Sequence, residues 1–258
     1  MTVPRALTIA TSDSGGGAGI QADLKAFAAA GVYGTSVLVA LTAQNTVGVA
    51  AIHELPPAFV REQLDAVFTD IGVDAAKTGM LFSRTLIETV AEYIEKHPVP
   101  LVVDPVMVAS SGAKLLEDDA VDALVGALFP LATVVTPNLF EARALTGLDA
   151  SRRELAERLH ELGAAAAIVT GGHGNTAVDH LFDGTEHIEI PVQRHDVAAT
   201  HGAGCTHSAT LTALLARGES LVDAARGAAA AAARAVAQGL TEIGSGDGPV
   251  DVLGVRTR

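Results

Sequence analysis

The sequence predicts an α/β protein built on a mainly parallel sheet with helices on both faces. Three observations carry this. Short apolar runs of strand length alternate with helical patterns along all 258 residues. The runs are uninterrupted rather than alternating in polarity, which marks strands buried on both sides. Gly-rich or small polar segments directly follow these runs or open the helices, where open α/β sheets bind ligands. No internal repeat and no Pro/Ser linker divides the chain, so residues 1–258 read as one domain.

The elements follow in order. Ala6–Ala10 is a short apolar strand leading into Gly15-Gly16-Gly17-Ala18-Gly19, and the helix that follows covers about Ile20–Ala30. Ser36–Thr42 is the next strand, Phe59–Thr69 an amphipathic helix, Val73–Lys77 a short strand and Arg84–Glu95 a helix. Val99–Asp104 is an apolar run ending in an acid. Asp118–Leu128 reads as a helix and Thr133–Thr136 as a strand. Leu139–Leu145 and Arg152–Leu162 read as helices, and Ala166–Thr170 as a strand closing on Gly171-Gly172. Ala177–Phe182 and Glu186–Pro191 flank Asp183-Gly184, the pattern of a β-hairpin. The chain closes on two helical stretches, about Gly204–Gly218 and Leu221–Leu240.

Composition narrows the function. Hydrophobic residues are 49% and charged residues 18%, which excludes disorder. No apolar stretch reaches membrane-spanning length, and the first apolar run is too short for a signal peptide, so the expected compartment is the cytoplasm with no membrane partner. The 17 Lys+Arg stand against 30 Asp+Glu, a net charge of -13, with no basic block, which argues against a nucleic-acid partner. A phosphate ligand remains possible, held by backbone amides and helix N-termini. The single Cys, Cys205, excludes a disulfide framework and a Cys-based zinc site.

The sharpest segment is Thr200-His201-Gly202-Ala203-Gly204-Cys205-Thr206, a Gly-rich turn entering an apolar helix. Small residues there expose consecutive amides at a helix N-terminus, an anion hole, and a first-turn thiol is expected to have a lowered pKa. Read without function, the same segment is a Gly-rich loop with a buried Cys. No Gly-x-x-x-x-Gly-Lys-Ser/Thr motif is present, and Gly15–Gly19 lacks the Gly-x-Gly-x-x-Gly spacing of dinucleotide folds. The nine His form no close metal-binding pair. The two Gly-rich loops, at opposite ends of the chain, suggest two ligand subsites on one sheet. Gln44, after a strand, offers both a donor and an acceptor, or it caps a turn. Asp104 closes an apolar strand. Asn138 and Glu141 share one helix face at i, i+3, although Asn138 is also a good N-cap.

The chain resembles the hydroxymethylpyrimidine/phosphomethylpyrimidine kinases of the ribokinase-like superfamily along essentially its whole length. The resemblance rests on Ala6–Ala10 followed by Asp13–Lys25, on Thr42-Ala43-Gln44-Asn45-Thr46, Lys77-Thr78-Gly79-Met80-Leu81 and Val103-Asp104-Pro105-Val106-Met107. It continues in Thr136-Pro137-Asn138-Leu139-x-Glu141-Ala142, Gly171-Gly172-His173 and His201–Thr206. It implies a three-layer α/β/α sandwich, ATP- and magnesium-dependent phosphorylation of 4-amino-5-hydroxymethyl-2-methylpyrimidine and then of its monophosphate, and a homodimer. By the same resemblance Cys205 is the base or hydroxyl-orienting group, and Gly202, Ala203 and Gly204 with Cys205 hold the transferring phosphoryl group. Gln44, Asp23, Ala18, Met80 and Val106 meet the pyrimidine. Asn138, Thr170, Thr200 and His201 meet the nucleotide. Asp104 and Glu141 meet the metal, Glu141 through a water.

Asp23 reads otherwise as a helix-dipole partner, and Met80 and Val106 as core. One departure stands out. Related enzymes usually carry Lys at the position of Thr170, and a hydroxyl cannot supply that charge. His173 and His201 are the nearby candidates to replace it. A small polar loop at Ala109–Lys114 is expected to act as a lid. The alternatives are a pyridoxal kinase of the same superfamily and a catalytically weak vitamin-binding member.

Overall fold

The computed structural model describes residues 2–107, 119–172 and 177–257. The expected lid at Ala109–Lys114 and the expected cation His173 lie outside the described residues.

Nine strands form one sheet: β1 (Arg5–Asp13), β2 (Tyr33–Asn45), β3 (Gly48–Glu54), β4 (Ala75–Thr78), β5 (Leu101–Val103), β6 (Val134–Val135), β7 (Ala167–Val169), β8 (Val178–Phe182) and β9 (His187–Pro191). Their order is β3-β2-β1-β4-β5-β6-β7-β8-β9. The six strands from β2 to β7 run parallel, while β3, β8 and β9 add antiparallel edges. The central strands are the apolar runs of the sequence because neither face sees water. The expected hairpin is β8–β9.

Helices α1 (Gly19–Ala29), α2 (Pro57–Ala66), α3 (Arg84–Lys96), α4 (Ala120–Ala123), α5 (Leu139–Thr146), α6 (Arg152–Glu161), α7 (Ala203–Ala216) and α8 (Leu221–Ala237) cover the sheet. Alternate residues of each strand feed opposite cores. Leu101, Val103, Ala167 and Val169 join Leu86, Ile87, Leu155 and Leu159 of α3 and α6 in one cluster. Val102 and Ile168 join Leu211 of α7 and Ala224, Ala225 and Ala228 of α8 in the other. The alanines of α8 let it approach closely, and a Cβ on Gly227 would fall on Leu214 of α7. This is the three-layer arrangement that the sequence predicts. No helix among the described residues is long and apolar enough to cross a membrane.

Three boundaries differ from expectation. Strand β2 runs beyond Thr42 into a hairpin with β3, all of whose residues are exposed or half-exposed on the sheet edge. The Asn45 side chain makes that turn by accepting from the Val47 and Gly48 amides. The helix expected over Asp118–Leu128 is a single α-turn, α4, then a π-turn over Leu124–Leu128 and a 3₁₀ turn over Phe129–Leu131. Pro130 lacks the N–H needed to continue the ladder. Likewise α2 ends in a π-turn over Val67–Ile71, closed by Gly72.

The chain order reverses between β1 and β4: β2 lies on one side of β1, and the later central strands on the other. Crevices outside the carboxyl ends of strands at such a switch point are where this architecture takes ligands.

Candidate active site

At the end of β1 the buried carboxylate of Asp13 organises the first Gly-rich loop. Its Oδ1 accepts from the Gly15 amide (2.7 Å), and its Oδ2 from the amides of Gly17 (3.0 Å) and Ala18 (2.8 Å). His201 Nε2 lies 3.2 Å from the same oxygen. Burial pushes the Asp13 pKa up, but His201 and the loop amides outweigh it and hold the carboxyl below its ordinary value.

The second loop turns on Gly202 (φ 84°), the N-cap of α7. A Cβ on Gly202 would fall on the Gly17 carbonyl oxygen, and one on Gly17 would fall on the His201 ring. The loops from opposite ends of the sequence are therefore in direct contact. The two ligand subsites expected on one sheet would therefore adjoin each other. Helix α7 begins at the contact. The Ala203 amide is spent on the Thr200 carbonyl (3.1 Å) and the Thr206 amide on Gly202 (2.8 Å). Of the expected four-residue phosphoryl cradle the Ala203 amide is thus engaged, and Gly204 and Cys205 lie in the first turn of α7.

Cys205 is half-buried in the first turn of α7, with the Gly19 amide nearby. Its thiol does not have the lowered pKa expected from the helix N-terminus. Burial pushes it up to about 12, with Asp23 and Asp104 adding to the rise and Lys77 opposing it. Loss of solvation outweighs the helix dipole here, so the group is a thiol at neutral pH.

Beneath Cys205 lies a buried charge cluster. Lys77, on β4 and with no exposure, donates from Nζ to Asp23 Oδ1 (2.7 Å) and lies 3.8 Å from Asp104 Oδ2. Asp23 also accepts from Thr8 (2.6 Å), and Asp104 from Ser208 (2.7 Å), one turn beyond Cys205 on α7. The expectation that Asp23 meets the substrate is corrected. Its side chain is fully buried and engaged by Lys77 and Thr8, so it holds the lysine instead. It is not a helix-dipole partner either.

Gln44 faces the first loop: Ser14 Oγ donates to its carbonyl (2.7 Å) and accepts from its amide (2.8 Å), while Thr42 reaches its Oε1 at 3.4 Å. Ala18 is the half-exposed N-cap of α1. Met80 is buried, and its carbonyl accepts from the amide and hydroxyl of Thr11. Val106, half-exposed, follows Asp104.

On the far side of Asp104, Asn138 and Glu141 form a capping box. Asn138 Oδ1 accepts from the Phe140 and Glu141 amides, and Glu141 Oε2 from the Asn138 amide. This cap engages the Oδ1 of Asn138, the residue expected to meet the nucleotide. Burial first, and then the charge of Asp104, push the Glu141 carboxyl up to about 8, against donation from the Asn138 and Met107 amides. Thr170 adjoins them, bridged in parallel to Asn138.

Sequence reasoning missed Asp13 and Lys77 as functional groups. The signals were present: an acid at a strand end before a glycine loop, and a lysine inside an apolar strand, where lysine is almost never buried unpaired.

The family model described as phosphomethylpyrimidine kinase matches residues 13–251. The chain belongs to this family. The hydroxymethylpyrimidine/phosphomethylpyrimidine kinase of Rhizobium meliloti is 49% identical to this family member over 253 residues, covering 95% of each chain. The thiamine biosynthesis bifunctional protein ThiED of Geobacter sulfurreducens is 51% identical over 255 residues. There the match takes in 95% of this chain but spans only about half (51%) of the larger protein. Among solved structures, an ADP complex of Bacillus subtilis pyridoxal kinase superimposes with a TM-score of 0.90 at 38% identity, with 100% of both chains covered. The phosphomethylpyrimidine kinase match thus includes both Gly-rich loops and the Lys77 cluster between them.

Proposed function

We propose that this kinase transfers the γ-phosphoryl group of ATP to the hydroxymethyl oxygen of 4-amino-5-hydroxymethyl-2-methylpyrimidine and then to the phosphate of the product, in thiamine biosynthesis. The observation that carries this reading is the contact between the two Gly-rich loops, which sets the Cys205 thiol beside the Gly19 amide at the mouth of α7. Gln44, Ala18, Met80 and Val106 line the acceptor side. Thr200 and His201 hold the second loop in place, His201 through Asp13.

Phosphoryl transfer through a loose transition state asks mainly for alignment and charge neutralisation. A thiol with a pKa near 12 suits orientation of the acceptor hydroxyl better than abstraction of its proton in advance. The open-turn amides of Gly204 and Cys205, at the positive end of α7, would receive the phosphoryl oxygens. Gly202, which admits the loop contact, and Ala203, bonded to Thr200, shape that turn.

Asp104 and Glu141 suit a magnesium ion. Both are oxygen donors, and Glu141 is raised partly by Asp104, a repulsion that a cation would relieve. Among the described residues no set of three or more His, Cys, Asp or Glu side chains converges. Two carboxylates match a cation whose remaining ligands are waters and phosphates. Magnesium, when bound, neutralises charge on the phosphates.

A pH dependence follows. The folded pKa of Glu141, about 8, lies above its ordinary 4.5, so the folded state keeps a proton that the unfolded chain releases in between. Stability of the protein without metal is expected to fall as pH rises from about 4.5 to 8. Magnesium should raise the melting temperature more at pH 8 than at pH 5. Glu141→Gln should flatten both trends, and an unchanged pH profile in that variant would refute the assignment.

The test of function is turnover with Mg-ATP and, in parallel, the pyrimidine alcohol, its monophosphate, pyridoxal and ribose. Absence of phosphorylation of both pyrimidines sinks the reading. Pyridoxal is included because the pyridoxal kinase of B. subtilis shares the whole fold. Cys205→Ala should cut turnover about 10²-fold or more while the melting temperature stays near wild type, and near-normal rates would return Cys205 to a packing role. We place the enzyme in the cytoplasm as a single-domain homodimer without nucleic-acid or membrane partners. One cooperative unfolding transition and a light-scattering mass twice that of the chain are the expected results.

A further inference from the structure

Helix α7 carries Cys205 in its first turn and Ser208 one turn on, at i, i+3, so the two side chains share one helix face. Ser208 has no exposure, and its Oγ donates to Asp104 Oδ2 (2.7 Å), 104 positions back in the chain at the end of β5. The same hydroxyl lies 3.2 Å from the Cys205 carbonyl oxygen. A helical serine turned inward ordinarily bonds a carbonyl of the preceding turn. Here the carboxylate takes the shorter contact, at the length of a charge-assisted bond, and the carbonyl comes second. One hydroxyl therefore ties the turn that holds the thiol to the acid that closes β5.

The other neighbour of that oxygen is weaker. Lys77 Nζ lies 3.8 Å from Asp104 Oδ2, while its short bond goes to Asp23 (2.7 Å). Ser208 thus gives the Asp104 side chain its one short hydrogen bond among the described residues, and Oδ1 accepts none. The carboxylate is held by one oxygen and offers the other. The function proposed above makes no use of Ser208.

We propose that Ser208 is a positioning residue, which holds Asp104 by Oδ2 so that Oδ1 is left for the magnesium ion, and which keeps that carboxylate fixed relative to the turn bearing Cys205. This rests on the magnesium-dependent chemistry of the proposed function. Ser208 touches no reacting atom and acts through Asp104 and the Cys205 carbonyl. Without its hydroxyl, Asp104 is left to Lys77, which is already bonded to Asp23, and the carboxylate is free to turn. Loss of a donor that orients a ligating group commonly costs about 10–100-fold in metal affinity or activity.

Ser208→Ala tests this, with Thr212→Val as its control. Thr212 is equally buried one turn further along α7, and its hydroxyl bonds the Ser208 carbonyl within the helix (2.8 Å) rather than a carboxylate. Magnesium alone is titrated against melting temperature, with neither nucleotide nor acceptor present. Ser208→Ala is expected to need about tenfold more magnesium for half of the stabilisation. Thr212→Val should need the wild-type amount, whatever it costs in melting temperature without the ion. Steady-state rates should show kcat lowered in Ser208→Ala and the KM for the pyrimidine unchanged, a split that general loosening of the helix would not give. A wild-type magnesium requirement in Ser208→Ala, or an equal shift in Thr212→Val, overturns the proposal. So does a wild-type melting temperature that magnesium leaves unmoved. Protein whose magnesium response depends on Ser208 but which phosphorylates no pyrimidine would instead overturn the function and leave the positioning role standing.

Discussion

Lys77→Met is expected to destabilise the protein by about 3–5 kcal/mol, the usual cost of removing one partner from a buried ion pair. Lys77 has no exposure, and its ammonium is the cation that Asp23 and Asp104 share. Without it, Asp23 is left fully buried beside a second carboxylate, and both must take up protons or draw in water. Burial alone would lower the Lys77 pKa, but the two aspartates and Cys205 outweigh it and raise it above the ordinary 10.5. A raised lysine pKa contributes stability that is fully present at neutral pH and is lost only as pH climbs through the folded value. Wild-type Lys77 stays charged from pH 6 to 9, whereas protons taken up by the variant's buried aspartates are released on unfolding, so the loss should grow as pH rises. Turnover should fall too, because Lys77 ties together Asp23 and Asp104 beneath Cys205. Adding Asp23→Leu should regain most of the stability, since replacing a whole buried pair by apolar groups is far cheaper than breaking it. Urea unfolding in a double-mutant cycle measures this. A single-variant loss below about 1 kcal/mol would mean that water reaches the cluster.

Gly202→Ala is expected to abolish measurable turnover. At φ 84° an Ala costs about 1–2 kcal/mol from backbone strain alone. More seriously, its methyl would overlap the Gly17 carbonyl oxygen, which is backbone and cannot swing aside. The two loops must separate, taking Cys205 from Gly19 and His201 from Asp13. The matched control is Gly204→Ala, two residues on. There an added Cβ meets nothing within 4 Å, so the helix should gain stability, by about 0.5–1 kcal/mol. Thermal denaturation of both variants, read with single-turnover rates, separates the effects. Wild-type turnover in Gly202→Ala would show that the loop contact is not needed for chemistry.

Much of this was legible in the residues. The apolar runs of β1, β4, β5 and β7 announced a parallel sheet because burial on both faces leaves no polar alternation. The Asp183-Gly184 turn announced the β8–β9 hairpin. Strand β3 was missed although Val49–Ile52 is an apolar run, because it pairs at an exposed sheet edge that no buried pattern marks. Asn138 and Glu141 were correctly seen to share a face, but their reciprocal cap with each other's backbone could be weighed only once the helix start was fixed.

The sequence by itself determined the layer architecture and the family, and it marked the small-residue segments that follow strands or open helices. These depend on local pattern: hydrophobic period, glycine at turns, and residues placed just after strands. Only the tertiary structure decided what those segments do to one another. It joined two glycine loops 185 positions apart (Gly17 and Gly202). It turned Asp23 from a substrate contact into the partner of Lys77, and it reversed the direction of the Cys205 pKa shift. It also set Ser208 against Asp104. The physical reason is common to all four. Steric contact, desolvation and charge pairing depend on separation in space, and separation along the chain carries no record of it.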